Sequence, residues 1–434
     1  MAGMKSFAGS SLYRVLTLAA QFGVTVLVTR LTGAAGLGLY ALIVVNAGLL
    51  HLFTSLGIPS GITHHAAAGL SGTSGLQRVI LVSTVAQILV VFLVEAISMV
   101  WKGHGFLWPA PGLLPLVMGI LFFLSVSLNE KYAALLTGQH RQTLVNRTAF
   151  LFTVASGITL MACMIFLGTV DNTFVISVLF LFALAQSVYL IIPSSKPSSI
   201  ERNTVNAGGL NWKALLNYSL VNYLANAVQF LAYRVDYWIL DHYHGREVLG
   251  IYALAVRMAQ MLWVLPAVAA SILFPMGSAG QADPKLVGRV VRAVFVTGII
   301  AAVVMALLAG WLLPAVFGEA FAASVKPFWF LLPGVLLFTV NMILAAWFAG
   351  TGRPRYNMWV SIVSFMIIVI LDLLWIPGHG AVGAAAASTV AYASSSIMAL
   401  WLFHRDDQKG PLRIWPTRDD LRSLLTIIKR TDNP

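Results

Sequence analysis

The segment Gly33-Ala-Ala-Gly-Leu37-Gly38-Leu-Tyr40-Ala41-Leu42-Ile-Val44 recurs without gaps as Gly245-Arg-Glu-Val-Leu249-Gly250-Ile-Tyr252-Ala253-Leu254-Ala-Val256. Each copy leads from a short loop into a long apolar run. A fainter pair, Thr137-Gly138-Gln-His-Arg141 and Thr351-Gly352-Arg-Pro-Arg355, follows at nearly the same offset. Two matches at one spacing indicate an internal duplication, and composition says what was duplicated. Apolar residues make up 59% of the chain and charged residues 10%, where a soluble domain carries roughly a quarter charged. This chain is therefore built for lipid. In hydrocarbon every backbone polar group must be bonded internally, which leaves helices or closed barrels. The apolar runs are of helix-spanning length and lack ten-residue alternation, which selects helices.

Working outward from the repeat, windows of about 20 apolar residues predict spans near 8–31, 38–66, 77–101, 112–137, 146–168 and 173–193. A second set falls near 214–241, 247–276, 286–312, 322–349, 356–377 and 380–404. The expected fold is all-α and integral to the membrane, with about twelve transmembrane helices. It divides into a bundle over residues 1–193, a polar linker over 194–213, a bundle over 214–404 and a tail over 405–434. Because each half has an even number of spans, the two copies share one orientation. The expected bundles are related by a pseudo-two-fold along the membrane normal, with a cleft between them.

Basic residues set the orientation. Arg78, Arg141, Arg147, Lys196, Arg202, Lys213, Lys285, Arg289, Arg292, Arg353 and Arg355 fall in or beside alternate loops. The opposite loops hold Arg30, Lys102, Arg246 and Lys326. By the positive-inside rule the first set is cytoplasmic, as are both termini. The net charge of +12 thus reflects cytoplasmic loops, and nucleic acid is not an expected partner. The start of the chain reads as a first span, since no small-residue cleavage site follows it. In the tail, Thr417-Arg418-Asp419-Asp420 resembles a helix start, and Leu421, Leu424, Leu425 and Ile428 form one apolar face. An amphipathic helix at the membrane surface is expected there, binding lipid.

Ionisable groups at mid-bilayer are costly, so those inside spans are functional candidates. The first helix carries Arg14, Thr17, Gln21 and Thr25 on one face, and the seventh carries Ser219, Asn222, Asn226, Gln229, Tyr233 and Asp236. The repeat makes these helices equivalent, so their stripes are expected to face each other. By helical rise, Arg14 lies in the inner half, His51 near the middle, Arg257 in the outer half and Arg234 nearer the outer surface. Together they would form a ladder of positive groups suited to a phosphate-bearing substrate. Plainer readings stand beside these. Arg234 and Asp236 could snorkel or serve the structure, Asp236 could neutralise Arg257, and His51 could be a hydrogen-bonded packing residue. Glu130 and Lys131 sit near an inner helix end where snorkelling suffices, and Glu95 and Asp372 near outer ends open to water.

Arg30-Leu-Thr-Gly, Leu37-Gly-Leu-Tyr40 and Leu56-Gly-Ile-Pro59 resemble the opening helices of bacterial polysaccharide flippases. Tyr233-Arg-Val-Asp236-Tyr-Trp, Val248-Leu-Gly250-Ile-Tyr252 and Leu273-Phe-Pro275 resemble the second-half signature, and Ala349-Gly-Thr-Gly352-Arg353 and Ile376-Pro-Gly-His-Gly380 the final helices. That family shares a superfamily with multidrug-and-toxin extruders and lipid II flippases. The resemblance implies export of undecaprenyl-diphosphate-linked oligosaccharide repeat units across the bacterial inner membrane for O-antigen, capsule or exopolysaccharide synthesis. It implies proton or sodium coupling and a polysaccharide polymerase as a downstream partner. Lipid II flippases use cavity arginines on helices one, two and eight; here Arg14 and Arg257 lie on two of these, with His51 on the other. No cofactor is expected, and no Walker loop, HExxH or GxSxG motif is present. A cation-coupled multidrug exporter of the same fold is the first alternative. A membrane glycan polymerase or ligase is the second, disfavoured by outer loops of about a dozen residues or fewer.

Overall fold

The computed structural model describes residues 2–167, 171–195, 212–278, 280–281 and 283–406. Most of the expected linker and tail, including the tail's amphipathic segment, lies outside these residues. Among the described residues the chain is helical and contains no strand: α1 Ala2–Ser55, α2 Ile58–Ala67, α3 Thr73–Lys102, α4 Leu113–Gly138, α5 Gln142–Leu167, α6 Asn172–Ser194, α7 Trp212–Ala259, α8 Val264–Ser278, α9 Pro284–Phe317, α10 Val325–Gly350 and α11 Pro354–Asp406. Two 3₁₀ turns, Gln260–Trp263 and Glu319–Ser324, lead into α8 and α10. Nine of the described helical stretches are long and apolar enough to cross a membrane.

Three helices exceed what one crossing needs. α1, α7 and α11 run 54, 48 and 53 residues, or roughly 70–80 Å against a hydrocarbon core of about 30 Å. Each is broken at one glycine. Gly33 has φ 65° and ψ −169°, Gly245 φ 74° and ψ −179°, and Gly380 φ 56° and ψ −134°. Side chains rarely enter this region, so glycine is needed there. Gly33 and Gly245 are the first residues of the two repeated segments and carry the same backbone geometry.

The described chain forms two compact units, Met1–Ala227 and Val228–Pro434. In the first unit α4 is central, packing on α1, α2, α3, α5 and α6. The start of α7 belongs to this unit: Leu215 joins the cluster of Ile58, Ile62, Leu76, Val79 and Leu135. Ser219 there turns its hydroxyl back to Leu215 O at 2.8 Å. It is a packing residue against Gly57 and Gly61. In the second unit α10 is central, packing on α8, α9 and α11.

The duplication runs the length of both units at a spacing of 212 residues, from Gly33 to Gly245. α4 moved by that spacing becomes the span of α10, end to end, and α6 ends on the last residue of α11. The second sequence match falls into the same register once shifted by two residues. Gly138 presses on the backbone of Thr63–Ala67, and Gly350 presses on Phe274–Gly277. Arg141 N–H then bonds Leu136 O at 2.8 Å, and Arg353 N–H bonds Phe348 O at 2.7 Å. The left-handed residues between them are His140 (φ 60°) and Gly352 (φ 76°).

Candidate functional site

The first unit holds a polar layer that splits its core. Apolar residues cluster above it (Leu50, Val91, Phe122, Phe123) and below it (Ile62, Ile80, Leu135). Between them α4 presents Ser127 and Lys131, one turn apart, and α3 presents Thr84 and Gln87. Lys131 is 0% exposed. Its ammonium donates to Gln87 Oε1 at 2.5 Å, Thr84 Oγ1 at 2.8 Å and Ser127 Oγ at 3.0 Å. Ser127 donates to Gln87 Oε1 at 2.6 Å, and Gln87 Nε2 donates to Thr54 Oγ1 at 3.1 Å. All three lysine donors are satisfied, so the snorkelling expected from the sequence does not occur. Beside the layer, His51 Nε2 lies 2.5 Å from Glu130 Oε2. The imidazole is buried against Phe123 and the carboxylate is half exposed.

The second unit buries a pair of carboxylates. Asp236 accepts from the Tyr252 hydroxyl at 2.5 Å, and that hydroxyl also meets Ser388 Oγ at 3.1 Å. Asp372 on α11 is 0% exposed, where the sequence suggested an outer end open to water. Its charge and that of Asp236 are close enough to repel. Both Asp372 oxygens and Asp236 Oδ1 are buried without a hydrogen-bond partner among the described residues. Three orphaned carboxylate oxygens, on two acids whose charges interact, suit a hard cation, which takes oxygen ligands.

The remaining expected residues divide. Arg14, Gln21 and Arg257 are exposed, and neither arginine has an ion-pair partner among the described residues. Thr25, on the same stripe as Arg14, is buried and bonds Gln21 O at 2.7 Å. Gln229 accepts from Ser361 Oγ at 2.6 Å. Arg234 donates to Tyr237 Oη at 3.0 Å and stacks over its ring. The side chains of Asn222 and Asn226 lie outside the described residues. Asp236 accepts from Tyr252 and makes no ion pair with Arg257 among the described residues. A cavity of about 640 Å³, lined by Val248, Ile251, Lys326, Trp329, Phe330 and His379, includes none of the expected residues.

Sequence reading missed the partners of Lys131 and the burial of Glu95 and Asp372. Glu95 accepts the backbone N–H groups of Phe106 (3.0 Å) and Leu107 (2.8 Å), pinning the turn after α3. For Asp372, one signal was present: it is a lone acid within an apolar run that has no basic neighbour in the window.

These features define a polytopic helical membrane protein whose fold recurs in transporters. The lipid II flippase MurJ in an inward closed conformation matches at TM-score 0.73 and 12% identity, over 99% of this chain and 93% of that one. An inward-facing MATE family multidrug transporter matches at 0.65 and 14%, over 91% and 98%. A MOP superfamily transporter from Pyrococcus furiosus matches at 0.62 and 12%, over 93% and 96%. By sequence, the uncharacterized membrane protein MJ1068 of Methanocaldococcus jannaschii is 21% identical over 348 residues, 76% of this chain and 68% of that one. Residues 4–281 match the model of the Polysaccharide biosynthesis protein family, and the chain belongs to that family.

Proposed function

We propose that this protein is a flippase, and not an enzyme, that carries undecaprenyl-diphosphate-linked oligosaccharide repeat units from the cytoplasmic to the outer leaflet of a bacterial inner membrane. The observation that carries this reading is a polysaccharide-biosynthesis family match on a chain built of apolar helices, with Arg14 and Arg257 exposed and unpaired among the described residues. Guanidinium groups stay charged and grip phosphate oxygens in pairs, which suits a diphosphate. Taking Gly33, Gly245 and Gly380 as chain reversals turns nine apolar stretches into twelve spans. Six then fall in 1–193 and six in 214–404, with both termini cytoplasmic. Gln21, Asn222, Asn226, Gln229 and Arg234 would hydrogen-bond the sugars, and a polysaccharide polymerase would receive the product.

The Asp236–Asp372 pair supplies the coupling site in this reading. Sodium held by its free oxygens, or a proton shared between them, would neutralise two buried charges that otherwise repel. These acids are buried within the second unit, which also weighs against their gripping a drug-sized cation, the requirement of the multidrug alternative.

The test is a double variant, Arg14→Gln with Arg257→Gln, in cells that depend on the protein for surface glycan and in which its insertion is verified. Lipid-linked glycan should accumulate on the cytoplasmic face. Normal surface glycan in the double variant would overturn the reading. Altered drug tolerance with unchanged glycan would favour the exporter instead.

A further inference from the structure

We infer that the first unit carries a proton-binding site made of His51 and Glu130 and set in the field of Lys131. This stands whatever the chain transports. It rests on three observations: geometry, charge and the comparison of the two repeats.

The geometry is that of a close imidazole–carboxylate contact. His51 Nε2 and Glu130 Oε2 are 2.5 Å apart, the imidazole side chain 7% exposed and the carboxylate side chain 53% exposed. One end of the pair is exposed and the other is enclosed. Neither ring nitrogen of His51 makes a hydrogen bond of regular geometry among the described residues, and Glu130 is the carboxylate that meets Nε2. A proton taken up by the pair would sit between these two side chains, and Glu130 is the more exposed of them.

The charge count makes the site responsive. Among the described residues, α1 brings His51 to this place and α4 brings Glu130 and Lys131, while α3 brings the neutral Thr84 and Gln87. Lys131 spends its donors on neutral oxygens, which leaves Glu130 free to face His51. With His51 neutral and Lys131 protonated, Lys131 and Glu130 balance. One more proton on the pair leaves a net positive charge in an apolar bundle, where charge is disfavoured. Occupancy of the pair thus alters how tightly α1 holds to α4.

The repeat shows that the packing does not require these groups. At the spacing of 212 residues, His51, Glu130 and Lys131 correspond to Trp263, Met342 and Ile343, and Thr84 and Gln87 to Val296 and Ile299. Ile343 lies in a continuous apolar core with Val340, Leu344 and Trp347. The same helix arrangement is thus built once with a titratable cluster and once without.

The test is ¹⁵N NMR of histidine-labelled full-length protein in lipid nanodiscs, titrated from about pH 5 to 9 around the ordinary histidine range. His51, among nine histidines, is identified by the signal missing in His51→Gln. We expect its titration midpoint to move in Glu130→Gln by about one pH unit, the scale set by removing an adjacent opposite charge. The wild type should also take up one more proton than His51→Gln in a dye-monitored pH jump. A His51 signal that titrates identically in wild type and Glu130→Gln would overturn the site. Should Glu130→Gln fail to fold, the set Lys131→Ile, Gln87→Ile and Thr84→Val offers a variant whose packing the second unit already uses. A His51 midpoint unmoved there would overturn it equally.

Discussion

Lys131 on α4 and Ile343 on α10 occupy the same position of the two repeats, one at the centre of a hydrogen-bonded layer and the other in an unbroken apolar core. Their neighbours match their chemistry, so neither can be exchanged alone. Lys131→Ile by itself leaves Gln87, Thr84 and Ser127 short of a buried donor, at about 1–3 kcal/mol for groups left unsatisfied. Adding Gln87→Ile and Thr84→Val should recover most of that loss. Thermal unfolding in detergent reads both, and a triple variant less stable than the single one would contradict the exchange.

Gly138 and Gly350 allow one backbone to touch another. A Cβ on Gly138 would lie 2.6 Å from Ala66 Cβ and 2.7 Å from Thr63 O, and one on Gly350 would lie 2.6 Å from Phe274 O. Gly138→Ala and Gly350→Ala should each destabilise by about 1–3 kcal/mol, the usual range for overpacking. Similar losses at both positions would support their equivalence, and a neutral effect at either would refute the close contact.

Sodium binding at Asp236 and Asp372, as proposed above, would make stability depend on the ion. A ligand that binds only the folded state raises its stability with concentration, by about 2.7 kcal/mol at a hundred times its Kd. The wild type should therefore unfold at a higher temperature in sodium chloride than in choline chloride. Asp372→Asn should lose that difference while remaining folded, since it removes an orphaned buried charge. An equal sodium response in both proteins would place the ion elsewhere.

His140 holds a left-handed backbone, φ 60°, where the other repeat has Gly352. That conformation costs a side chain roughly 1–2 kcal/mol, partly offset by the freedom glycine adds to the unfolded chain. His140→Gly should stabilise the protein by about 0.5–1 kcal/mol in the same unfolding assay. Gly352→Ala should destabilise it.

Glu95 accepts the N–H groups of both Phe106 and Leu107. Glu95→Ala strands both buried donors and should cost about 2–4 kcal/mol at the usual price of unmet hydrogen bonds. Faster proteolysis at 103–112 than elsewhere would locate the loss, and unchanged cleavage would show that the turn is held by other contacts.

Much of this protein was legible because the deciding properties are local. A residue's apolarity does not depend on its partner, so span positions followed from windows of about 20 residues. Glycines with positive φ fall at ends of apolar runs, so Gly33 and Gly245 were visible as the starts of a repeated segment. The weaker match was read two residues out of register. Only the contacts of Gly138 and Gly350 correct it, since few side chains remain to align there.

The polar groups were another matter. Lys131 was expected to snorkel and Asp372 to meet water, on the basis of distance from a helix end. Their surroundings depend on residues 44 and 136 positions away, Gln87 and Asp236, brought close by helix packing. His51 was a candidate for phosphate and proves to lie against Glu130, a neighbour 79 residues on.

Composition and periodicity alone thus determined that the chain is a helical membrane protein with a duplicated plan, because transfer into lipid depends on each segment's own apolarity. Which buried charges meet, and hence where protons or cations can bind, was decided by tertiary structure. An ionisable group in a membrane faces a partner or the bundle interior, and which groups it meets there leaves no local trace in sequence.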